Sequence, residues 1–311
     1  MMNPYINYEG KRIKFSLPRG WVSMVHEDRP PVPAVADLSK EIRHALDHPI
    51  GSPRIEELAR PGMDVVLLFD DLQRPTPAHV AIPEIMDRLN RAGIPDERIT
   101  GICAVGTHPI PTMDQLNIKV GNEAFTRLND RLISHDPHSK DNIIIGRTHR
   151  GTIVQVNQRV AFADLIIGLG ECMPHPVAGF GGGCKIIMPG VCSYRSVADH
   201  HFTWMRHRNS RVNLLDGNPF YEESVDGGRL SRLAFKLDLI INEKKEVIKE
   251  KSEKFTVFHV TEGLTAEQVA TMRFSYCPDL QEAINRISET MPKADVAIFP
   301  SGGTIIPEVQ Q

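Results

Sequence analysis

The sequence lacks an excess of charge of one sign. Its 36 Lys and Arg residues stand against 39 Asp and Glu residues, which gives a formal net charge of −3. Proteins that bind nucleic acid usually carry a clustered basic field, and neither the charge balance nor any Lys/Arg tract provides one here. We therefore expect no nucleic-acid partner.

Long hydrophobic runs are also missing. The N-terminal stretch MMNPYINYEGKRIKFSLPRG has no apolar core of signal-peptide length, and the longest apolar runs, such as residues 165–167, are too short to cross a bilayer. The five cysteines form no C-x-x-C pair, and their odd number favours reduced thiols that pack as small apolar side chains. These absences predict a cytoplasmic protein with no membrane partner.

Short apolar runs alternate with helical patterns along the chain. Buried strands are predicted at 63–71, at 99–108 and in a run that ends near Gly168, and helices are predicted near 37–47 and 79–92. The repeated order of strand, loop, helix and strand is typical of an α/β fold with a mainly parallel sheet flanked by helices. We expect a second, smaller or truncated α/β domain to follow.

Polar motifs follow several of these predicted strands. In open parallel sheets, ligands bind beyond the carboxyl ends of the strands, so these motifs are candidate site residues. Histidine is abundant, with 13 copies, and many lie beside turn residues. The motifs are Asp70-Asp71 with Arg74, Gly106-Thr107-His108, His135-Asp136 and His175.

A glycine-rich stretch, HPVAGFGGGCKIIMPG, begins at His175 and places a lysine after its glycines. It does not fit the phosphate-binding pattern G-x-x-x-x-G-K-[ST], because Cys184 replaces the last glycine and Ile186 replaces the Ser or Thr. The dinucleotide pattern G-x-G-x-x-G also fails in GLGECM, which lacks its third glycine. The residues alone leave two interpretations open: a tight turn with Lys185 in solvent, or a site of another kind.

The wider pattern resembles the nickel-pincer lactate racemase family. The family has Pro-His-x-x-Ala-Gly-Phe-Ser-Gly-Gly-x-Lys-x-x-x-Pro-Gly followed by a histidine, and this chain has PHPVAGFGGGCKIIMPG with His201 at the matching distance. Four further motifs agree in order, from about residue 60 to residue 245. They are DDLQRPTP (70–77), GTHPIPT (106–112), HDP (135–137) and GNPFYEE (217–223).

The resemblance implies a cofactor. The family uses the nickel-pincer nucleotide, a pyridinium bisthiocarboxylic acid mononucleotide that holds nickel and is joined to a lysine, which maps onto Lys185. A histidine completes the nickel coordination and maps onto His201. The neighbouring His200 stands where the family usually has Asn, so we expect His201 to be the ligand. Soft sulfur and imidazole donors suit nickel.

The resemblance also implies an activity, the racemisation or epimerisation of a 2-hydroxy acid. The pyridinium transiently takes a hydride from substrate C2 while a base takes the hydroxyl proton, and the planar ketone can accept the hydride back on either face. The two bases map onto His108 and His175, and the residue that binds the carboxylate maps onto Arg74. The implied partners are a small 2-hydroxy acid and the enzymes that make the cofactor.

Each assignment has a structural alternative. His108 and His175 could be strand-end histidines bonded to the backbone, and Arg74 could pair with Asp70 or Asp71. These two aspartates are also expected to cap the following helix. His135 and Asp136 are expected to be structural or supporting residues.

The chain also departs from the family pattern, with Gln73 in place of Thr and Gly181 in place of Ser. We place a cofactor-binding and catalytic α/β domain at 1–245 and a shortened second α/β domain at 246–311. The second-domain segment that carries a carboxylate-binding lysine in the family has no counterpart here. A non-catalytic or cofactor-binding paralogue is therefore the main alternative. A simple metal hydrolase is a weaker one, because no H-x-x-E-H spacing is present.

Overall fold

The structure is a computed structural model, and the chain divides into two compact units. One is Val32–Ser252, and the other combines Met1–Pro31 with Glu253–Gln311. The residues that the structure describes are 5–8, 11–20, 22–25, 33–242, 244–248, 281, 284–285, 288–289 and 295–298.

The secondary structure follows the predicted alternation of strands and helices. The strands are β1 (Tyr5–Tyr8), β2 (Lys11–Lys14), β3 (Val22–Val25), β4 (Val65–Asp70), β5 (Ile99–Ala104), β6 (Leu132–Ser134), β7 (Ile143–Arg147), β8 (Ile153–Val156), β9 (Leu165–Glu171), β10 (Pro174–His175), β11 (Gly179–Phe180), β12 (Leu233–Leu239) and β13 (Asp295–Ile298). The α-helices are α1 (Leu38–Asp47), α2 (Ile55–Leu58), α3 (Ala78–Arg91), α4 (Met113–Leu128), α5 (Gln158–Phe162), α6 (Tyr194–Trp204) and α7 (Pro219–Leu230).

A five-stranded parallel sheet forms the centre of the larger unit, in the order β12-β9-β4-β5-β6. Every residue of β4 and β9 is buried, because helices and loops cover both faces of the sheet. Continuous apolar runs are the pattern that such doubly covered strands require. The predicted α/β fold with a parallel sheet flanked by helices is confirmed.

Two apolar cores cover the two faces of this sheet. One is built with α1, α3 and α4 and includes the fully buried Phe69, Ile82 and Leu89. The other includes Leu68, Ile187 and residues of β8, α5 and α6. The sheet is therefore the middle of three layers, and its carboxyl-terminal edge stays open for a site.

Two elements differ from the sequence-based expectation. Helix α4 was not predicted, because its apolar pattern is weak and Gly121, at φ +77°, interrupts its helical geometry. The strand expected at 237–242 is β12, which begins earlier, at Leu233. The charged residues Lys236 and Asp238 interrupt the apolar pattern of that strand, and their side chains contact each other.

In the smaller unit, β1 and β2 pair antiparallel, as the alternation around Glu9-Gly10 predicts. Strands β3 and β13 pair parallel. The strand predicted in KFTVFHVTEG (254–263) lies outside the described residues, as does most of the segment 246–311. Within the described part of the chain, no helix combines the length and the apolar character that a bilayer crossing requires.

Candidate active site

A cavity of about 190 Å³ opens beyond the carboxyl ends of β4, β5 and β9. Its wall includes loops that directly follow these three parallel strands, which is where an α/β fold places a ligand. All five residues that the sequence predicted for the site line this one cavity. They are Arg74, His108, His175, Lys185 and His201.

Two loops are joined to each other at the cavity. The backbone N–H of Gly106 donates to the carbonyl oxygen of Gly190 at 2.8 Å. Gly106 has φ +58°, a conformation that glycine adopts without strain. This contact ties the Gly-Thr-His turn after β5 to the end of the glycine-rich stretch, so that His108 and Lys185 line the same space.

Lys185 has an unusual amine. It lies on a short 3-10 turn, Gly183–Ile186, and its Nζ has no hydrogen-bond or ion-pair partner among the described residues. The amine faces the ring of Phe220, 5.6 Å from the ring centre. Burial, and to a lesser degree the charge of Arg74, lower the pKa of Lys185 to about 7. A large fraction of the amine is therefore neutral and nucleophilic near neutral pH.

The glycine before this turn cannot carry a side chain. Gly182 has φ +76°, and a Cβ there would lie 2.9 Å from the carbonyl oxygen of Glu171 and 2.7 Å from a carboxylate oxygen of Asp238. The next residue, Gly183, donates its N–H to Asp238 at 2.8 Å. Gly181 differs, because a Cβ there would meet nothing closer than 3.5 Å. The serine of the family pattern would therefore fit at position 181.

The adjacent histidines of α6 have different environments. The Nδ1–H of His201 donates to the carbonyl of Val197 at 3.0 Å, which leaves Nε2 unprotonated on a residue that lines the cavity. His200 is fully buried, donates its Nε2–H to the carbonyl of Phe220 at 2.9 Å, and is absent from the cavity wall. Burial lowers the pKa of both imidazoles. The geometry favours His201 over His200 as a metal ligand.

His108 forms a dyad with a carboxylate. Its Nδ1 makes a short contact with Asp71, whose side chain is buried, while the His108 side chain is 43% exposed. A carboxylate that accepts the Nδ1 hydrogen leaves the Nε2 lone pair directed away from it and stabilises the imidazolium that forms when Nε2 takes a proton. This arrangement would allow His108 to act as a general base.

His175 has the opposite arrangement. Its Nδ1 accepts two backbone N–H groups, from Val177 at 3.3 Å and from Ala178 at 3.1 Å. A nitrogen that accepts has no hydrogen, so the neutral ring carries its hydrogen on Nε2. Burial lowers the pKa of His175 to about 2, and the charge of Lys185 adds to the effect. In this conformation His175 is a neutral hydrogen-bond donor.

The guanidinium of Arg74 forms an ion pair with neither Asp70 nor Asp71. Its Nη1 lies 3.4 Å from Glu171 and 3.5 Å from the sulfur of Met173, while Nε and Nη2 have no partner among the described residues. Burial raises the pKa of Glu171, and the Arg74 charge opposes that rise. Part of the guanidinium is thus available to an anion in the cavity.

The expectation that Asp70 and Asp71 cap the next helix is wrong. Helix α3 begins after Pro77, which makes no side-chain capping bond. Asp70 instead accepts from Thr76 and from the backbone N–H of Glu171, and it pairs with Lys119 at 3.0 Å. It fixes the backbone where β4 and β9 end. Asp71 supports His108.

His135 lies in the core and not in the cavity. It is fully buried and its Nε2 bonds to the carbonyl of Cys192 at 2.8 Å, which is the structural use expected from the sequence. Two charged residues of the cavity wall, Glu171 and Lys236, were missed. Glu171 closely follows the predicted end of its strand near Gly168, and a carboxylate at that place was an available signal. Lys236 was missed because the predicted strand began at residue 237, whereas β12 begins at Leu233.

The arrangement can therefore hold an acylated amine, a metal-binding imidazole and an anionic substrate together. The imidazole of His108 and the guanidinium of Arg74 line the same cavity as Lys185 and His201. Chemically, this set suits the binding of a small carboxylate and proton removal from a hydroxyl group that it carries.

The chain is similar in sequence to two known proteins that are both named lactate racemase. The chain is 32% identical to the lactate racemase of Lactiplantibacillus plantarum over 209 residues, which cover 67% of this chain and 49% of that protein. It is 26% identical to the lactate racemase of Thermoanaerobacterium thermosaccharolyticum over 252 residues, which cover 80% of this chain and 58% of that protein. This chain thus spans about half the length of these relatives.

Solved structures show the same fold. The lactate racemase apoprotein of T. thermosaccharolyticum superposes with a TM-score of 0.67 at 25% identity, over 79% of this chain and 58% of that one. A Thermotoga maritima protein shares the fold with a TM-score of 0.54 at 19% identity, over 68% of this chain and 53% of that one. Residues 8–213 match the family described as the lactate racemase N-terminal domain, and the chain belongs to that family.

Proposed function

We propose that this protein racemises or epimerises a 2-hydroxy acid with a nickel-pincer nucleotide attached to Lys185. The observation that carries the proposal is that Arg74, His108, His175, Lys185 and His201 line one cavity. The names of the two relatives make lactate the first substrate to test.

The residues of this chain fit the cofactor. Lys185 offers an amine without a partner and with a pKa lowered to about 7, which suits a lysine that forms an amide with an acyl group. His201 offers an Nε2 whose ring orientation is fixed by the bond from Nδ1 to Val197, as is usual for metal-binding imidazoles. Glycines at 181 and 182 line the cavity beside them and leave space for a bulky group.

When bound, the cofactor would accept a hydride from C2 of the hydroxy acid and return it. The residues of the chain bind the substrate and move the hydroxyl proton. Arg74 holds the carboxylate through the guanidinium nitrogens that Glu171 leaves free. His108 takes the hydroxyl proton on Nε2, and Asp71 stabilises the resulting imidazolium.

His175 must change its hydrogen bonds before it can serve as the second base. Its Nε2 carries the hydrogen while Nδ1 accepts from the backbone, and both of those bonds are long, at 3.1 and 3.3 Å. An amide at Lys185 removes one of the positive charges that lower its pKa. Loss of that charge acts toward a higher pKa of His175, which is the direction that a second base needs.

A turnover assay tests the proposal. The protein is produced together with the enzymes that make the cofactor, and a panel of single-enantiomer 2-hydroxy acids is followed by chiral chromatography. We expect at least one acid to approach a racemic or epimeric mixture, and the His108→Gln variant to lose this activity. Bound cofactor and nickel without turnover of any acid would instead support the non-catalytic paralogue.

A further inference from the structure

A second group of possible metal ligands lies outside the cavity. His149, Glu223 and Asp226 each offer one ligand atom, and these atoms lie within 4.8 Å of one another. His149 is in the turn between β7 and β8, whereas the two carboxylates are on α7. Residues three apart on a helix share one face, so both carboxylates can meet the same turn.

Glu223 is the member that needs explanation. It is 0% exposed, and neither carboxylate oxygen has a hydrogen-bond partner in the described part of the chain. No ion pair of Glu223 within 4.0 Å is found there either. A buried carboxylate without a partner is expensive, and buried charges in proteins are usually paired or coordinate a metal ion. The unpartnered oxygens therefore point to a ligand.

The other two members already hold each other in place. The Nδ1 of His149 lies 2.5 Å from Oδ2 of Asp226, and the backbone N–H of His149 donates to the same oxygen at 2.9 Å. These bonds fasten the β7–β8 turn to α7. They place an imidazole and a carboxylate oxygen next to the buried Glu223, whose own carboxylate takes no part in these bonds.

We propose that His149, Glu223 and Asp226 bind one divalent transition-metal cation of the zinc type, with water in the remaining position. Bonds of about 2.0–2.2 Å from zinc to nitrogen and oxygen place its ligands up to roughly 4.4 Å apart, so small side-chain shifts close the site. Calcium and magnesium prefer oxygen ligands alone, whereas the imidazole favours zinc. A cation on Nδ1 replaces the hydrogen shared with Asp226, which moves to Nε2 or to solvent.

The position of α7 gives the site a structural role. Its inner face packs tightly against the stretch that carries Lys185: a Cβ on Gly228 would lie 2.5 Å from the sulfur of Cys184, and one on Gly227 would lie 2.9 Å from Cβ of Met188. A cation that joins α7 to the β7–β8 turn stabilises the helix that supports this stretch. The inference uses no cavity residue and does not rest on the proposed function.

Zinc binding by the full chain, produced without the cofactor, tests the proposal. His201→Ala removes the imidazole proposed as the nickel ligand. His44→Ala and His48→Ala remove an exposed histidine pair with ring centres 4.5 Å apart, which could take up metal adventitiously. In this background, calorimetry with Zn²⁺ should show one equivalent bound, and magnesium should bind much more weakly. Zinc should also raise the unfolding temperature.

Two neighbouring carboxylates give a matched comparison. Glu223→Gln should weaken zinc binding by more than the roughly 10- to 100-fold that loss of an outer-sphere partner causes. Glu222→Gln should have a much smaller effect, because the Glu222 side chain pairs with Arg150 and acts on His149 only through its charge. Asp226→Asn provides a second test of the site if Glu223→Gln does not fold. Equal zinc binding by the Glu222→Gln and Glu223→Gln variants, no zinc uptake, or equally tight magnesium binding would each overturn the proposal.

Discussion

At the scale of single residues, the positive charge of Lys185 acts on two histidines of the cavity. The Lys185 ammonium lowers the pKa of His175 and of His201, in each case adding to the larger effect of burial. The same burial lowers the pKa of Lys185 itself to about 7. The proposed conversion of this amine to a neutral amide would therefore remove one of the positive charges that lower the pKa of both histidines.

The first prediction concerns the pH dependence of stability. The folded-state pKa of Lys185, about 7, lies below its ordinary 10.5, so the ammonium opposes folding. The resulting loss of folding stability has its full size below pH 7 and disappears as the pH rises toward 10.5. In urea unfolding at pH 6, Lys185→Met should be more stable than the unmodified wild-type protein by on the order of 2–4 kcal/mol, after allowance for partial solvent access. The difference should shrink by pH 9.

Lys140 is exposed and gives the matched control. Lys140→Met should change the free energy of unfolding by less than about 0.5 kcal/mol at both pH values. If the advantage of Lys185→Met were the same at pH 6 and pH 9, the lowered pKa of Lys185 would be disproved.

The second prediction concerns the dyad of His108 and Asp71. Asp71→Asn keeps the shape of the side chain but removes the charge that stabilises the protonated imidazole. Turnover of the hydroxy acid by cofactor-loaded enzyme should fall by about 10²- to 10⁴-fold, as expected for loss of a base and its orientation. Nickel content should stay the same. A parallel loss of nickel would show that Asp71 supports the cofactor and not the base.

At the scale of elements, the residues that follow the strands indicated the site, whereas the apolar residues inside the strands indicated only the fold. The apolar runs of β4, β5 and β9 were visible in the sequence, and so the motifs after them could be assigned to one edge of the sheet. The spacing of Lys185 and His201 came from the family pattern. The sequence did not predict which nitrogen of each histidine is free, because that depends on backbone partners such as Val197 and Ala178.

Other features could not be predicted from the sequence, because they depend on contacts between distant parts of the chain. Helix α4 buries Leu116, Val120 and Leu128 in the core shared with α3, although its own apolar pattern is weak. The Arg74–Glu171 pair joins residues far apart in the chain, so the nearby aspartates were the wrong partners to consider. The isolated carboxylate of Glu223 is visible only once burial is known.

The third prediction concerns the turn that holds Lys185. Gly182→Ala should destabilise the protein by about 1–3 kcal/mol, because alanine is strained at φ +76° and its Cβ would overlap the Glu171 carbonyl. Thermal unfolding measures the loss. Gly181→Ser is the control, since the site has space for it, and it should change stability by less than about 0.5 kcal/mol. Equal effects of the two substitutions would refute this account of the turn.

At the scale of the whole molecule, the proposed chemistry is concentrated in one unit. Every predicted site residue lies within Val32–Ser252, and so does the proposed zinc site. The chain spans about half the length of its lactate racemase relatives. The proposed attachment of the cofactor involves only residues of this unit, whereas the proposed turnover also requires a bound 2-hydroxy acid. The two can therefore be measured separately.

The most direct test of the account is the intact mass of the protein produced together with the cofactor biosynthesis enzymes, measured alongside its nickel content. The account predicts added mass corresponding to the cofactor, located on Lys185 by peptide mapping, and one bound nickel. Lys185→Ala should abolish the added mass, and His201→Ala should reduce nickel while Lys185 remains modified. An unmodified Lys185 with no cofactor-dependent nickel in the wild-type protein would contradict the account.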